Sequence, residues 1–182
     1  MSGPTTSGGS NGSGRERPGR VARRWISAVM QEGDWDAAWL LTDHPFRLAQ
    51  VQAWLWPQRG EADLVSESLD DVAASMCDEG PAHPLWEEFA EVVIETYHQT
   101  WQEFDLGRWA VAGRSRLMGP DYEVVVYSRE EEAIIATAET LYVARPFLMH
   151  LTEAGWLVAH AGSNQLPVPG WPPEFPDPHG ND

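Results

Sequence analysis

A histidine and a tyrosine are the residues of this 182-residue chain whose types and positions could best support chemistry. His160 lies in a run of alternating apolar residues, where burial would move its pKa into a range useful for proton transfer. Tyr97 lies on the apolar stripe of a predicted helix, where its hydroxyl could donate a hydrogen bond to a ligand carbonyl or oxyanion. The pair predicts an acid and base at one site. The alternative interpretation is that both are hydrogen-bonded core residues.

Four more residues are predicted to line a ligand cavity with this pair. Trp101 follows Tyr97 by about one helical turn, so both side chains lie on the same helix face. The others stand at inward positions of a predicted hairpin: Trp109, Ser115 and Tyr122. The alternative for all four is ordinary packing.

Other residues of chemically active types are explained by local structure. Asp43 and His44 precede Pro45, where Asp43 is predicted to cap a helix and not to form an acid–base pair with its neighbour. Cys77 has no cysteine or histidine at zinc-ligand spacing, so it is predicted to be a small buried apolar residue. The three glutamates at 130–132 are predicted to form a solvated turn. No metal and no cofactor are expected.

Charge and composition exclude several classes of protein. The formal net charge is −16, although residues 15–24 contain five arginines. A body this acidic repels phosphate, so no nucleic-acid partner is expected. The apolar runs are much shorter than the roughly 20 residues that span a bilayer, so no membrane segment is expected. A cytoplasmic location follows as the expectation.

Composition divides the chain into three parts. Residues 1–20 are mainly Gly, Ser, Thr, Pro and Arg, and they are predicted to be a disordered arm because they bury too little apolar surface. Residues 21–163 are predicted to form one domain. Residues 164–182 are rich in proline and are expected to be an extended tail that docks on the domain without packing as an element.

Apolar residues recur at helical spacing through the first half of this domain. The predicted helices cover residues 21–30, 35–41, 45–57, 64–76 and 84–104. Gly33 is predicted to end the first helix, and Asp34 to cap the second. The helix at 84–104 is the longest and carries a stripe of largely aromatic residues, so it is expected to cover a large apolar surface.

A first β-hairpin is predicted over residues 109–126. Apolar residues alternate with polar ones there, and Gly119-Pro120 is predicted to form the turn. This turn places Arg116 opposite Glu123 on the outer face. It also places three residues of the second strand toward the core: Tyr122, Val124 and Val126.

A second β-hairpin is predicted within residues 140–163. Gly155 suits a tight turn, and Leu151 is predicted to pair with Trp156. Alternation then sends one set of side chains to the core or cavity: Phe147, Met149, Leu151, Trp156, Val158 and His160. The other set faces away: Leu148, His150, Leu157 and Ala159.

Helices followed by antiparallel strands predict an α+β fold, with helices packed into the concave face of a curved antiparallel or mixed sheet. Two stretches, EGDWDAAWLL at 32–41 and GWLV at 155–158, resemble the nuclear transport factor 2-like (ketosteroid isomerase-like) superfamily. The resemblance implies a cone-shaped sheet wrapped round a long helix. Members of that superfamily include isomerases, hydrolases, cyclases, accessory domains and binding modules, so shared fold does not select a function.

No catalytic residue of the superfamily is carried over to this chain. Its isomerases use a carboxylate base inside the cone, and its epoxide hydrolases use two acids and an arginine. The predicted inward positions of the strands contain no Asp or Glu, and Arg114 and Arg116 are predicted to face outward.

Three classes of function remain open from the sequence. The first is a binding or accessory module with an aromatic cavity for a small apolar or aromatic ligand. The second is an isomerase, cyclase or dehydratase that uses His160 and Tyr97. The third is an acidic interaction or immunity-type protein that holds a basic protein partner, with a homodimer as a further arrangement.

Overall fold

The computed structural model describes residues 16–60, 68–102, 104–111, 115–129 and 144–176. Within these ranges the helices precede the strands and pack against one antiparallel sheet, which confirms the predicted α+β fold class. The helices are α1 (Pro18–Ser27), α2 (Trp35–Leu40), α3 (His44–Gln58), α4 (Leu69–Glu79) and α5 (Trp86–Thr100). The strands are β1 (Trp109–Val111), β2 (Arg116–Leu117), β3 (Tyr122–Arg129), β4 (Ala144–Thr152) and β5 (Gly155–Ala161).

The end of the first helix follows the predicted local signals, whereas its start lies three residues before the predicted one. α1 begins at Pro18, inside the predicted arm, and residues 1–15 lie outside the described residues. It continues as a π-helical turn that ends at Gly33, whose φ of 62° is the left-handed conformation that glycine adopts readily. The side chain of Asp34 then accepts a hydrogen bond of 2.9 Å from the backbone N–H of Ala37, so the predicted cap of α2 is confirmed.

Of the next three helices, α3 begins at its predicted capping residue and the other two begin later than predicted. The side chain of Asp43 accepts a hydrogen bond of 3.0 Å from the backbone N–H of His44 at the start of α3. The helix predicted from residue 64 begins at Leu69 as α4, while residues 61–67 lie outside the described residues. α5 is shorter at both ends than the predicted helix at 84–104.

The sheet has the strand order β1-β3-β4-β5, and β2 pairs with the same strand as β1, namely β3. Leu151 pairs with Trp156 in the β4–β5 hairpin, as predicted, and Gly155 adopts a φ of 122°. Beyond β5, the stretch 41–43 runs parallel to the strand and pairs with it at Val158. The N–H of Val158 donates to the carbonyl of Leu41 at 2.8 Å, and its carbonyl accepts from the N–H of Asp43 at 2.9 Å.

The predicted register of the first hairpin is wrong by one residue. Arg116 pairs with Val124, and Leu117 pairs with Glu123. The N–H of Met118 donates to the carbonyl of Tyr122, so the loop has three residues and not two. A two-residue turn of type I′ needs positive φ at both central residues, which Pro120 cannot adopt because its φ stays near about −65°. A type II′ turn needs positive φ at Gly119, and Gly119 does not adopt it.

This shift reverses the faces predicted for β3, because neighbouring side chains point to opposite sides of a sheet. Val125 and Tyr127 contribute to the main core. Tyr122 and Val126 pack instead against a smaller apolar cluster on the other face, whose buried members are Val124, Leu148 and Ala159.

The main core is built around Trp25 of α1, which is fully buried. Its indole Nε1–H donates a hydrogen bond of 2.9 Å to Oγ1 of Thr42, so burial leaves this polar atom paired. Four aromatic rings lie with their centroids 5.3 to 6.2 Å from the Trp25 ring: Trp35, Tyr97, Trp101 and Phe147. α1 packs across β3, β4 and β5, so the aromatic cluster joins the helices to the sheet.

The proline-rich segment at 164–176 docks on the helices, as expected. Within the segment, Val168 and Glu174 form two backbone hydrogen bonds of 2.9 Å. Two further bonds join it to the helices: Gly170 N–H donates to Gln52 Oε1 of α3 at 2.8 Å, and Trp171 Nε1–H donates to Asp70 Oδ1 of α4 at 2.6 Å. These contacts bring the end of the segment, Phe175 and Pro176, beside α3 and α5. In the described part of the chain, no helix is both long enough and apolar enough to cross a membrane.

Candidate functional site

A cavity of about 480 Å³ lies between α3, α5, the end of β5 and the C-terminal segment. We call it the aromatic cavity. The described residues that line it are Phe46, Gln50, Ala53, Trp54, Val92, Val93, Thr96, Tyr97, Thr100, Trp101, Arg145, His160, Ala161, Gly162, Phe175 and Pro176. Three of the six predicted site residues are therefore brought together there: Tyr97, Trp101 and His160.

Helical spacing explains how two of the walls form. Residues four apart share one face of a helix, so one face of α3 carries Phe46, Gln50 and Trp54. The same spacing on α5 and the residue after it gives Val93, Tyr97 and Trp101. β5 and the residue after it supply His160, Ala161 and Gly162, and the C-terminal segment closes the remaining side.

Tyr97 is held in the aromatic cluster between the core and the cavity. Its ring contacts those of Trp25 and Trp101 edge to face, with both centroid distances at 5.3 Å. Burial raises the pKa of its phenol above the ordinary value of 10.0. The hydroxyl is therefore protonated at neutral pH and suited to donate a hydrogen bond.

His160 reaches the cavity by a different route from the predicted one. The pairing of β4 with β5 shifts by one residue, so that Met149 pairs with Val158 but Leu148 pairs with His160. This bulge breaks the alternation that predicted a shared face for His160 and Val158. The imidazole packs beside the ring of Phe46, with a centroid distance of 5.0 Å.

The environment of His160 favours its neutral form. The residue is 5% exposed, and burial lowers its pKa from 6.5 to about 4. Its Nδ1 atom is buried without a hydrogen-bond partner among the described residues. Such an atom is rare in a folded protein and marks a position where a further group could pair with it.

Two residues of the cavity were not predicted from the sequence. Gln50 is 7% exposed, and its Nε2 atom also has no hydrogen-bond partner in the described part of the chain. Arg145 of β4 lies with its guanidinium 5.4 Å from the centroid of the Trp101 ring. Signals for both were present: Gln50 stands four residues from Phe46, and Arg145 stands two residues before Phe147 in the alternating pattern.

Three predicted site residues lie elsewhere, so the expectation that all six share one cavity is wrong. Trp109 is buried in the main core, where its ring stacks on Phe104 at 4.5 Å. Ser115 is exposed just before β2. Tyr122 faces away from the main core because of the one-residue shift in β3 described above.

Tyr122 instead takes part in an arrangement that the sequence did not predict. Its ring stacks on that of His150 with a centroid distance of 4.5 Å and an interplanar angle of 7°. Nδ1–H of His150 donates a hydrogen bond of 2.9 Å to Oδ2 of the buried Asp43. A carboxylate in this position fixes the orientation of the imidazole ring. The pair of Asp43 and His150 lies outside the aromatic cavity. His44, which follows Asp43 in the sequence, is exposed.

A second concave region, the acidic groove, is broad and lies along α5. It has a volume of about 1110 Å³ and is lined by five carboxylates: Asp34, Asp36, Glu87, Glu91 and Glu95. Asp36 accepts a hydrogen bond of 2.6 Å from Nε1–H of Trp86. The charge of the groove fits the alternative of a basic partner, which stays a prediction.

Metal and thiol chemistry find little support in the described residues. Among them no group of three or more His, Cys, Asp or Glu side chains could hold a metal ion. Cys77 is buried, as predicted, and burial raises the pKa of its thiol to about 12 despite the nearby Arg47.

Comparisons with protein-family models, with curated proteins and with solved structures give no match. Membership of the nuclear transport factor 2-like superfamily, with its cone-shaped sheet, therefore stays a prediction from the sequence. The function is inferred from the residues of the aromatic cavity alone.

Proposed function

We propose that this protein is a binding module that holds a small, largely apolar or aromatic molecule in the aromatic cavity. The observation that carries the proposal is the cavity itself. Its volume of about 480 Å³ lies within the roughly 300 to 1,000 Å³ typical of small-molecule sites. Its lining is mainly aromatic and aliphatic with a few polar groups, which is the composition that such sites share.

Titration with phenylnaphthylamine, an uncharged aromatic dye that fluoresces in apolar surroundings, tests the proposal. We expect saturable binding of one dye molecule per chain. The variant Ala53→Trp adds an indole at an exposed position of α3 that lines the cavity. We expect it to weaken dye binding by about tenfold or more, which corresponds to about 1.4 kcal/mol.

Leu40→Trp is the matched control, because it adds the same indole at an exposed position of α2 that does not line the cavity. It should bind the dye as tightly as the unaltered protein. Equal binding by both variants, or binding that does not saturate, would contradict the proposal.

Acid–base catalysis by His160 and Tyr97 is a second candidate function, because both residues line the aromatic cavity. Burial lowers the pKa of His160 to about 4 and raises that of Tyr97, so both groups strongly favour their neutral forms at pH 7. The described lining residues also include no carboxylate. These properties suit hydrogen bonding to a ligand better than proton transfer, and binding is therefore the function we place first.

A further inference from the structure

Two polar side chains in the wall of the aromatic cavity are almost wholly buried, and each has one polar atom without a hydrogen-bond partner among the described residues. His160 is 5% exposed and Gln50 is 7% exposed. Neither Nδ1 of His160 nor Nε2 of Gln50 has a partner among the described residues. Burying a polar atom without a partner is unfavourable, so most such atoms in folded proteins are paired by something. The cavity that both residues line is where that partner would lie.

The chemistry of the two atoms defines what would pair with them. Nε2 of a glutamine only donates hydrogen bonds, and a neutral imidazole donates from Nδ1 in one of its two tautomers. An oxygen acceptor on a ligand would satisfy both donors. The described cavity wall includes no acidic side chain. A positively charged ligand group would bring donors and no acceptor, so the two unpaired donors favour a neutral or negatively charged oxygen.

We infer that the ligand of the aromatic cavity is an aromatic or aliphatic compound with a carbonyl or carboxylate oxygen, to which Gln50 and His160 donate hydrogen bonds. This inference rests on the proposed function and adds the chemical class of the ligand. The aromatic walls bind the apolar body of the compound, and the two donors fix its polar end. No described protein group pairs with either donor, so a ligand oxygen would not have to displace a protein acceptor.

Calorimetric titration with four compounds of one shape tests the inference: butylbenzene, butyrophenone, phenylbutanoate and phenylbutylamine. Butyrophenone differs from butylbenzene by a carbonyl oxygen alone, and we expect it to bind about tenfold more tightly if two hydrogen bonds form. Phenylbutanoate and phenylbutylamine differ in the sign of their charge, and we expect the carboxylate to bind more tightly by at least a similar factor. Butyrophenone and phenylbutanoate carry their oxygens at opposite ends of the alkyl chain, so each is compared only with its own partner compound.

Two buried glutamines of α3 provide a matched pair of variants. Gln50→Leu removes a donor that has no partner, so we expect the preference for butyrophenone over butylbenzene to fall several-fold. The melting temperature of the ligand-free variant should be unchanged or higher. Gln52→Leu removes the acceptor of the Gly170 N–H and loosens the segment that closes the cavity, so it should lower the melting temperature. It removes neither proposed donor, so it should weaken the binding of butyrophenone and butylbenzene alike and leave the preference between them unchanged.

The possible results separate the inference from the function on which it rests. Equal binding of butylbenzene and butyrophenone would overturn the inference and leave the proposed binding function standing. Binding of none of the four compounds, together with failure of the dye to bind, would overturn both. A lower melting temperature in Gln50→Leu with an unchanged preference would show that Gln50 is a structural residue, and would also overturn the inference.

Discussion

Acidification should destabilise this protein through one buried histidine, His160. Burial lowers its pKa from 6.5 to about 4. Between these pH values the imidazole is protonated in the unfolded chain and neutral in the native state. The unfolded state therefore binds more protons than the native state between these two values. The contribution of His160 to stability is fully present above pH 6.5 and is lost progressively as the pH falls toward 4.

The size of this effect follows from the difference between the two pKa values. At 1.36 kcal/mol for each pKa unit, the lowering from 6.5 to about 4 corresponds to about 3 kcal/mol in the free energy of unfolding. That is a large share of the roughly 5 to 15 kcal/mol that stabilises a typical domain. The effect should therefore be measurable above the contributions of other titrating groups.

Urea unfolding followed by tryptophan fluorescence, from neutral pH down to about pH 4, measures the effect. The chain has many carboxylates that also titrate, so the informative quantity is the difference between the protein and His160→Gln. We expect the variant to lose about 3 kcal/mol less than the unaltered protein over this range. Gln50→Leu alters the same cavity without a titratable group, so it should keep the original pH dependence.

If the free energy of unfolding fell equally with pH in the unaltered protein and in His160→Gln, this reasoning would be refuted. Such a result would mean that the imidazole is protonated as easily in the native state as in the unfolded chain. The burial of His160 against Phe46 would then be wrong, and so would its place in the wall of the aromatic cavity.

Three further predictions concern other parts of the fold. Thr42→Val leaves Nε1 of the buried Trp25 without its acceptor, so urea unfolding should show a free energy of unfolding lower by about 1 to 3 kcal/mol. A variant as stable as the unaltered protein would contradict this hydrogen bond. The thiol of Cys77 is buried and its pKa is raised to about 12, so a disulfide reagent should label it only as the protein unfolds. Rapid labelling of the native protein would contradict this prediction. Trp171→Phe removes the hydrogen bond to Asp70, so we expect it to lower the free energy of unfolding by about 1 kcal/mol and to lower the melting temperature. An unchanged melting temperature would indicate that this contact does not hold the C-terminal segment.

Features set by neighbouring residues were predictable from the sequence. Gly33 ends the first helix because a left-handed conformation is needed there, and Asp34 and Asp43 cap helices because their side chains reach nearby N–H groups. The pairing of Leu151 with Trp156 likewise follows from a short turn. In each case the signal and the structure lie within a few residues.

Features set by distant contacts were not predictable in the same way. A one-residue difference in the loop before Tyr122 reversed the faces of β3, because side chains of a strand alternate strictly. The bulge beside His160 inserts one residue into β5, and the local sequence pattern does not predict it. Spacing places Gln50 on the face of Phe46 and Arg145 on that of Phe147, but both residues are polar, and only the tertiary contacts place them in the wall of a largely apolar cavity.

The pairing of the stretch 41–43 with β5 has a consequence for solubility. Exposed strand edges are templates for edge-to-edge aggregation, and proteins protect them by covering them or by keeping edge strands short. The backbone N–H and carbonyl of Val158 are already hydrogen-bonded to Leu41 and Asp43. A strand from another chain therefore could not continue its pairing along β5 past this point. Among the described strands, β1 and β2 lie on the opposite side of the sheet and have 3 and 2 residues. A Pro substitution at Asp43 would remove the N–H that covers Val158, and it would make this edge available for association between chains.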